Sequence, residues 1–192
     1  MAGKPKRAVV DKWKKKKTFK ILGSKEVGNV ELGETIADKP ELLVGRNISV
    51  NMGLALNQAR KKNIDLTFKI KDVQGSNATT ELVGYETKKS YLRRLFRRRT
   101  SKIESVQYLT SKDKRRFKIV SVIVTFRKIE REKQKDIRKL LETFIAKTAK
   151  ANNFDAIMGL ILQKDILYEI MPEVKKIAAI KRTEIETIKC LA

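Results

Sequence analysis

The 192-residue sequence contains no histidine and one cysteine, Cys190, and both scarcities exclude kinds of active site. Without histidine there is no Ser-His-Asp or Cys-His arrangement and no imidazole metal site. One cysteine cannot form an internal disulfide bond or a cysteine zinc site. No apolar run approaches the roughly 18 residues that span a bilayer, and no apolar segment follows the basic N-terminus. The sequence therefore predicts a cytoplasmic protein with no cofactor, no metal site and no membrane partner.

Acidic residues are also scarce. The chain has 22 Asp plus Glu against 45 Lys plus Arg, which gives a net charge of +23 and an isoelectric point near 10.2. Residues 1–20, 86–102 and 112–118 carry net charges of +8, +7 and +4, which together make up +19. A surface that serves only solubility would mix the two signs, whereas clustered cations are favoured when a polyanion releases counterions on binding. The charge pattern predicts a polyanion-binding protein.

Apolar periodicity predicts several strands followed by helices. Apolar and polar residues alternate over residues 48–54 and 64–70, and further strands are predicted at the ranges 79–85, 101–109 and 116–126. The last of these is apolar on both faces, so it should be central. Residues 23–40 contain three glycines and indicate a turn-rich stretch.

After Lys128 the apolar period becomes helical. One helical region precedes a break at residues 149–154 and another follows it, with Pro172 expected to kink or restart the second. A short last strand is predicted at 181–189. We therefore expect an α+β fold, in which an antiparallel sheet curls into a barrel-like core with packed α-helices. Residues 1–17 should form a basic tail that is disordered off its partner, and residues 18–192 a single RNA-binding domain.

The segment 88–99 is the sharpest motif. At roughly 100° per residue, its basic residues cover one half of a predicted helix and its apolar residues cover the other. The apolar half can dock on the sheet and hold guanidinium groups outward, and arginine donates two parallel hydrogen bonds to a phosphate. Such crowded cations need an external anion to balance them. The predicted RNA-binding residues here are Lys89, Arg93, Arg94, Arg97, Arg98, Arg99 and Lys102.

Two other basic blocks leave alternatives open. In the first block, residues 12–17, the ring of Trp13 either stacks on RNA beside the neighbouring lysines or packs on the folded domain while the rest of the tail is solvated. The second should be a hairpin tip that either contacts phosphate or only shields an edge strand from pairing. The residues concerned are Lys12, Trp13, Lys14, Lys15, Lys16 and Lys17 in the first block, and Lys114, Arg115 and Arg116 in the second.

Carboxylate pairs give little support for catalysis. Glu130 with Glu132 and Glu184 with Glu186 come without a glycine loop, a third ligand or a base, so they are expected to be rim charges or helix N-terminal residues. The chain is therefore not expected to be an enzyme. Two alternatives stay open: an RNA-directed enzyme that uses carboxylates with a divalent ion, and a free-standing DNA-compacting or RNA-chaperone protein. The first helical stripe could also receive a partner protein.

Three stretches resemble one family. They are Lys-Trp-Lys-Lys-Lys-Lys at residues 12–17, the segment 30–46 around Gly-Glu-Thr-Ile-Ala-Asp-Lys-Pro-Glu, and the segment 91–103 around Arg-Arg-Arg-Thr-Ser-Lys-Ile. They resemble the S3Ae (S1e) family of small-subunit ribosomal proteins of archaea and eukaryotes, from about Lys12 to the C-terminus. The longer C-terminal tail typical of eukaryotic members is absent, which indicates the archaeal type. Departures occur at Phe19, at Leu22-Gly23 and at Pro172.

The resemblance implies a β-barrel-like core with flanking helices, seated on the platform of the small ribosomal subunit. It implies contact with small-subunit ribosomal RNA, including its 3′ region, near the messenger RNA exit side and beside other platform proteins. The implied role is structural and supports subunit assembly and translation. No homo-oligomer is expected.

Overall fold

A computed structural model gives the structure and describes Trp13, residues 16–163 and residues 166–191. In these ranges the chain forms eight strands and five helices. The strands are β1 (Lys17–Leu22), β2 (Glu31–Ala37), β3 (Asn47–Asn51), β4 (Ile64–Gln74), β5 (Asn77–Thr87), β6 (Lys102–Thr110), β7 (Arg116–Thr125) and β8 (Ile180–Leu191). The helices are α1 (Met52–Ala55), α2 (Lys89–Leu95), α3 (Arg131–Ala151), α4 (Phe154–Gln163) and α5 (Leu167–Ile177).

The strands form one mixed sheet in which β5 is the branching strand. One edge of β5 pairs with β4 along its whole length, and β4 pairs in turn with β3. The other edge is shared: β1 runs parallel to the beginning of β5, and β8 pairs antiparallel with its end. Beyond β8 come β7 and then β6, and beyond β1 comes β2.

The α+β class is confirmed, but the barrel-like core is corrected to an open sheet. Within the described ranges β2, β3 and β6 each pair with one strand only, so the sheet does not close. The reason lies in β5, whose second edge is divided between two strands that continue in different directions. Helix α3 packs against β6, the last strand at this end of the sheet, and its Arg138 Nε donates to the Glu104 carbonyl of β6 at 3.2 Å.

The main core lies between the sheet and the C-terminal helices. β7, predicted to be central, lies between β6 and β8, and nearly all its residues from Phe117 onward are buried. Its residues Phe117, Ile119 and Ile123 face the helices. The Phe117 ring lies 5.6 Å from that of Phe154 at the start of α4. A second, smaller cluster lies under β1 and β4 and contains Phe19, Ala37, Leu43, Ile70 and Ala78.

The predicted break near residues 149–154 is confirmed, because α3 ends at Ala151 and α4 begins at Phe154. α4 ends at Gln163 and α5 begins at Leu167, while Pro172 lies inside α5. Its ring removes one backbone donor in the middle of this helix, but the chain does not restart there. In the described ranges no helix is both long enough and apolar enough to cross a membrane.

Candidate nucleic-acid interface

Helix α2 is shorter than the motif at residues 88–99 predicts. It ends at Leu95 because Phe96 adopts an extended conformation, with φ −87° and ψ 117°. The next four residues form a turn closed by Thr100, whose hydroxyl donates to the Arg97 carbonyl at 2.7 Å and accepts from the Arg97 N–H at 3.3 Å. The prediction that Arg97 and Arg98 continue the helix is therefore wrong, because this side-chain bond replaces the next helical turn.

The apolar side of α2 is attached to β8. The Tyr91 hydroxyl donates to Glu184 Oε1 at 2.9 Å, and Lys181 Nζ donates to the Leu95 carbonyl at 3.3 Å. Leu92 is buried beneath the helix. Burial raises the pKa of Tyr91, and the negative charge of Glu184 adds to this, while a hydrogen bond with Arg182 opposes it. These contacts hold α2 on the sheet, as the amphipathic pattern predicts.

The basic residues of α2 and the following turn form one exposed group. All six side chains are exposed, and in the described part of the chain none of them pairs with a carboxylate. The Arg94 guanidinium lies 6.0 Å from the Tyr91 ring centroid. We call this group the arginine surface, and its members are Lys89, Arg93, Arg94, Arg97, Arg98 and Arg99. Since arginine is always charged, this surface carries six positive charges without internal compensation.

Lys102, also predicted to bind RNA, has neighbours of opposite charge. Its Nζ lies 3.1 Å from Glu104 Oε2 and 3.7 Å from Glu186 Oε2, and 4.9 Å from the Phe96 ring centroid. This lysine therefore supports the segment that carries the arginine surface. Its contact with RNA stays a prediction.

The β6–β7 hairpin has the predicted basic tip, and the three tip residues that were predicted to bind RNA differ in their contacts. Lys114 and Arg116 are exposed and have no ion pair in the described ranges. Arg115 instead forms an ion pair with Glu81 on β5, and its Nη1 lies 3.5 Å from Asp155 Oδ1 on α4. Burial lowers the pKa of Arg115, but the hydrogen bond and the charge of Glu81 raise it above its ordinary value. Arg115 thus ties the hairpin to the domain.

The N-terminal block is described only in part. Lys12, Lys14 and Lys15 lie outside the described residues, as does most of the predicted tail. Lys16 and Lys17 are exposed, and Lys16 Nζ lies 4.2 Å from the centre of the Trp13 ring. Trp13 is 65% exposed, and its contact with RNA stays a prediction.

The carboxylate pairs have basic or hydroxyl neighbours. Glu184 accepts one hydrogen bond from the Tyr91 hydroxyl and another, of 3.2 Å, from Arg182 Nε. Glu186 lies beside Lys102. Glu130 pairs with Lys133 at 3.3 Å, one turn along α3. Among the residues that the structure describes, no three acidic or cysteine side chains are grouped as metal ligands would be.

The three basic blocks lie at separate places along the sheet. The arginine surface precedes β6 and the basic tip follows it, so the nine residues of β6 put about 25–30 Å between them. β1 begins beyond the start of β5, whereas α2 follows the end of β5. Lys17 and the arginine surface therefore lie toward opposite ends of this strand. RNA that touches all three blocks must extend along the molecule.

Sequence reasoning missed a further exposed group on the sheet. Tyr108 on β6, Lys118 on β7 and Lys189 on β8 are cross-strand neighbours and share the face opposite the C-terminal helices. The apolar pattern of β6 gives no signal for this group, because the buried face carries Ser105 and Gln107 beside Ile103, whereas Val106 is on the exposed face. Period-2 alternation places Val106 and Tyr108 together on the outer face.

Comparison with known proteins decides the family. The model of the ribosomal S3Ae family matches residues 4–192, which is nearly the whole chain. The chain belongs to the ribosomal S3Ae family. Its resemblance to this family is thereby confirmed. Membership of a ribosomal protein family also confirms that this S3Ae protein is a structural component and not an enzyme.

Archaeal relatives agree with the family match and confirm the archaeal type. Small ribosomal subunit protein eS1 of Methanobrevibacter smithii is 34% identical over 188 residues, which cover 98% of this chain and 97% of the relative. The protein of the same name from Methanospirillum hungatei is 32% identical, covering 96% and 93%. That from Archaeoglobus fulgidus is 34% identical, covering 96% and 88%. These similarities support a structural role for this S3Ae protein in the small ribosomal subunit.

Proposed function

We propose that this S3Ae protein binds small-subunit ribosomal RNA through the arginine surface, on the platform of the subunit near the messenger RNA exit side. Its proposed neighbours are the 3′ region of the ribosomal RNA and other platform proteins. In this position it supports subunit assembly and translation. The basic hairpin tip and the N-terminal lysines provide further contacts along the same RNA.

The observation that carries the proposal is a cluster of exposed cations without internal partners on a fixed element. Six positive charges lie within eleven residues, on helix α2, which Tyr91 and Lys181 attach to β8, and on the turn that follows it. Their mutual repulsion is relieved when phosphates come between them, and guanidinium groups bind phosphate with paired hydrogen bonds. Because the helix is already attached, little ordering is needed when the protein binds.

Binding by phosphate contacts makes a quantitative prediction about salt. Replacing Arg97, Arg98 and Arg99 together by Ala should reduce the slope of log K against log salt by about 2–3, because each lost phosphate contact contributes about 0.9 on a duplex. The matched control removes three exposed lysines from α3, as Lys135→Ala, Lys139→Ala and Lys147→Ala. The control should leave the slope within one unit of that of the parent protein. Filter binding to small-subunit ribosomal RNA from 50 to 300 mM salt measures both.

Two outcomes would contradict the proposal. If the triple arginine variant and the triple lysine variant lower the slope equally, binding depends on net charge and not on the arginine surface. If the protein in a cell lysate does not sediment with small subunits, the free-standing chaperone alternative is favoured. Hydroxyl-radical footprints on subunits assembled with and without the protein test its position, since the proposal expects protection in the 3′ region.

A further inference from the structure

The sheet has an uncovered area on the face opposite the C-terminal helices. Helix α2 lies over this face only where β8 carries Lys181 and Glu184. Toward the hairpin tip the face carries Val106 and Tyr108, which are 47% and 67% exposed. These two apolar side chains alternate with buried residues of the same strand, so their exposure is not a result of a frayed edge.

The surroundings of Tyr108 are basic. Lys118, directly across on β7, places its Nζ 5.6 Å from the Tyr108 ring centroid. One strand further, Lys189 follows in the same row and pairs with Glu86 at 3.5 Å. Arg116 is the next outward-facing residue on β7, and in the described ranges it has no ion pair. An open depression of about 440 Å³ beside the ring is lined by residues that include Tyr108, Thr110, Arg116 and Leu191.

We propose that Tyr108 stacks against an unpaired base of RNA on this sheet face, while Lys118 and Arg116 contact the adjoining phosphates. An aromatic ring flanked by cations fits a nucleotide, because the base has a π-face of its own and the phosphate is negative. The Lys118 contact also restrains the ring. The same patch is a poor match for an apolar protein partner, since Arg116 would be buried without a counter-charge.

The base must come from a single-stranded segment, a loop or a bulge. In an A-form duplex the bases are stacked on each other and their faces are not accessible to a side chain. The ligand class is therefore single-stranded RNA, in contrast to the arginine surface, which can bind the phosphates of a duplex. The inference rests on the proposed RNA-binding function but concerns a different part of this sheet face, about 25 Å from the arginine surface.

The test compares two RNA probes and three variants of the full chain. The probes are a 12-nucleotide single-stranded RNA and the 12-base-pair duplex that contains it, with affinities measured by fluorescence anisotropy. Tyr108→Ala should weaken single-strand binding about fivefold or more and change duplex binding less than twofold. Tyr108→Phe keeps the ring and should bind within about twofold of the parent protein. The matched control Tyr168→Ala removes another exposed tyrosine, on α5, and should change neither affinity.

Salt dependence separates stacking from charge. Tyr108→Ala removes no phosphate contact, so its slope of log K against log salt should equal that of the parent protein. Lys118→Ala should reduce the single-strand slope by about 0.7. Unchanged melting temperatures of the variants show that the fold is retained, as expected for substitutions at exposed positions.

The outcomes are separable from those of the proposed function. Equal single-strand affinities of the parent protein and Tyr108→Ala would overturn the stacking site, whatever the triple arginine variant does. A loss confined to Tyr108→Ala, with the triple arginine variant unaffected, would support the stacking site and contradict the arginine surface. In native small subunits, ultraviolet irradiation should cross-link the Tyr108 peptide to RNA. A cross-link from Tyr108 to a protein instead would overturn the inference.

Discussion

Arg99 and Lys114 both have left-handed backbone conformations, with φ angles of +69° and +61°. A side chain with a Cβ is disfavoured there by about 1–2 kcal/mol relative to glycine. Both residues belong to turns that carry basic blocks, the first after α2 and the second at the β6–β7 tip. The chain thus places a cation where local stability alone would favour glycine, as is expected where a residue serves binding.

Lys114 permits a test of this conflict between local stability and charge. Lys114→Gly and Lys114→Ala both remove one charge, but only glycine relieves the left-handed backbone. We expect Lys114→Gly to be more stable than Lys114→Ala by about 1 kcal/mol in urea unfolding. Both substitutions should weaken RNA binding by the same factor relative to the parent protein. Equal stabilities of the two variants would show that the tip is not held in this conformation in solution.

A second prediction at the scale of single residues concerns the thiol of Cys190. Burial raises the pKa of Cys190, while the charge of Arg115 opposes the rise. The thiolate is the nucleophile, so a raised pKa leaves less of it at any given alkaline pH. Iodoacetamide alkylation followed from pH 7 to 11 should give a higher apparent pKa for the folded protein than for the protein in urea. An equal or lower value in the folded protein would contradict the burial of this thiol.

At the scale of elements, periodicity predicted some strands well, but the strand predicted at residues 48–54 was wrong past Asn51, which ends β3 and caps α1 by accepting a hydrogen bond from the Gly53 N–H. β4 and β7 were recognisable because apolar residues alternate cleanly along β4 and fill both faces of β7. β2 was not, because Gly33 interrupts a segment with only one buried residue, Ala37. Its strand conformation comes from pairing with β1, a long-range contact that no local pattern shows.

The candidate site was predicted in its composition and only partly in its geometry. The alternation of basic and apolar residues correctly placed the apolar half of α2 on the sheet. The end of the helix was missed, because it depends on the hydroxyl of Thr100 and not on helix periodicity. Nor could the sequence show that Arg115 faces Glu81, 34 residues earlier, since that contact depends on how β5 and the hairpin come together.

The two adjacent arginines at the hairpin tip should behave differently. Arg115→Ala leaves Glu81 and Asp155 without their shared partner, and should lower the free energy of unfolding by about 1 kcal/mol, since all three side chains are partly exposed to solvent. Arg116→Ala should change stability by less than about 0.5 kcal/mol but weaken RNA binding. Urea unfolding and filter binding measure the two effects. A larger loss of stability in Arg116→Ala than in Arg115→Ala would contradict these different roles of the two arginines.

At the scale of the whole molecule, the net charge of +23 should limit stability in the absence of RNA. Cations that repel one another are screened by salt, whereas the few ion pairs in the described ranges are mostly exposed and contribute little. We therefore expect the melting temperature to rise by about 2–4 °C between 20 and 300 mM sodium chloride, equivalent to about 1 kcal/mol. A melting temperature that falls with salt would mean that attractive pairs dominate. Differential scanning calorimetry gives the answer directly.

The position of β8 in the sheet has a consequence for the biosynthesis of the protein. Among the described strands, β8 alone connects the β6–β7 hairpin to β5, and it comprises residues 180–191. A nascent chain that has not yet released these residues from the exit tunnel therefore holds two separate sheets with unpaired edges, one on either side of the gap that β8 fills. Folding of such long-range pairings is slow, and open edges invite association with other chains. The domain can be completed only after translation has passed its final strand, so the interval before the chain meets RNA is when it most needs protection from aggregation.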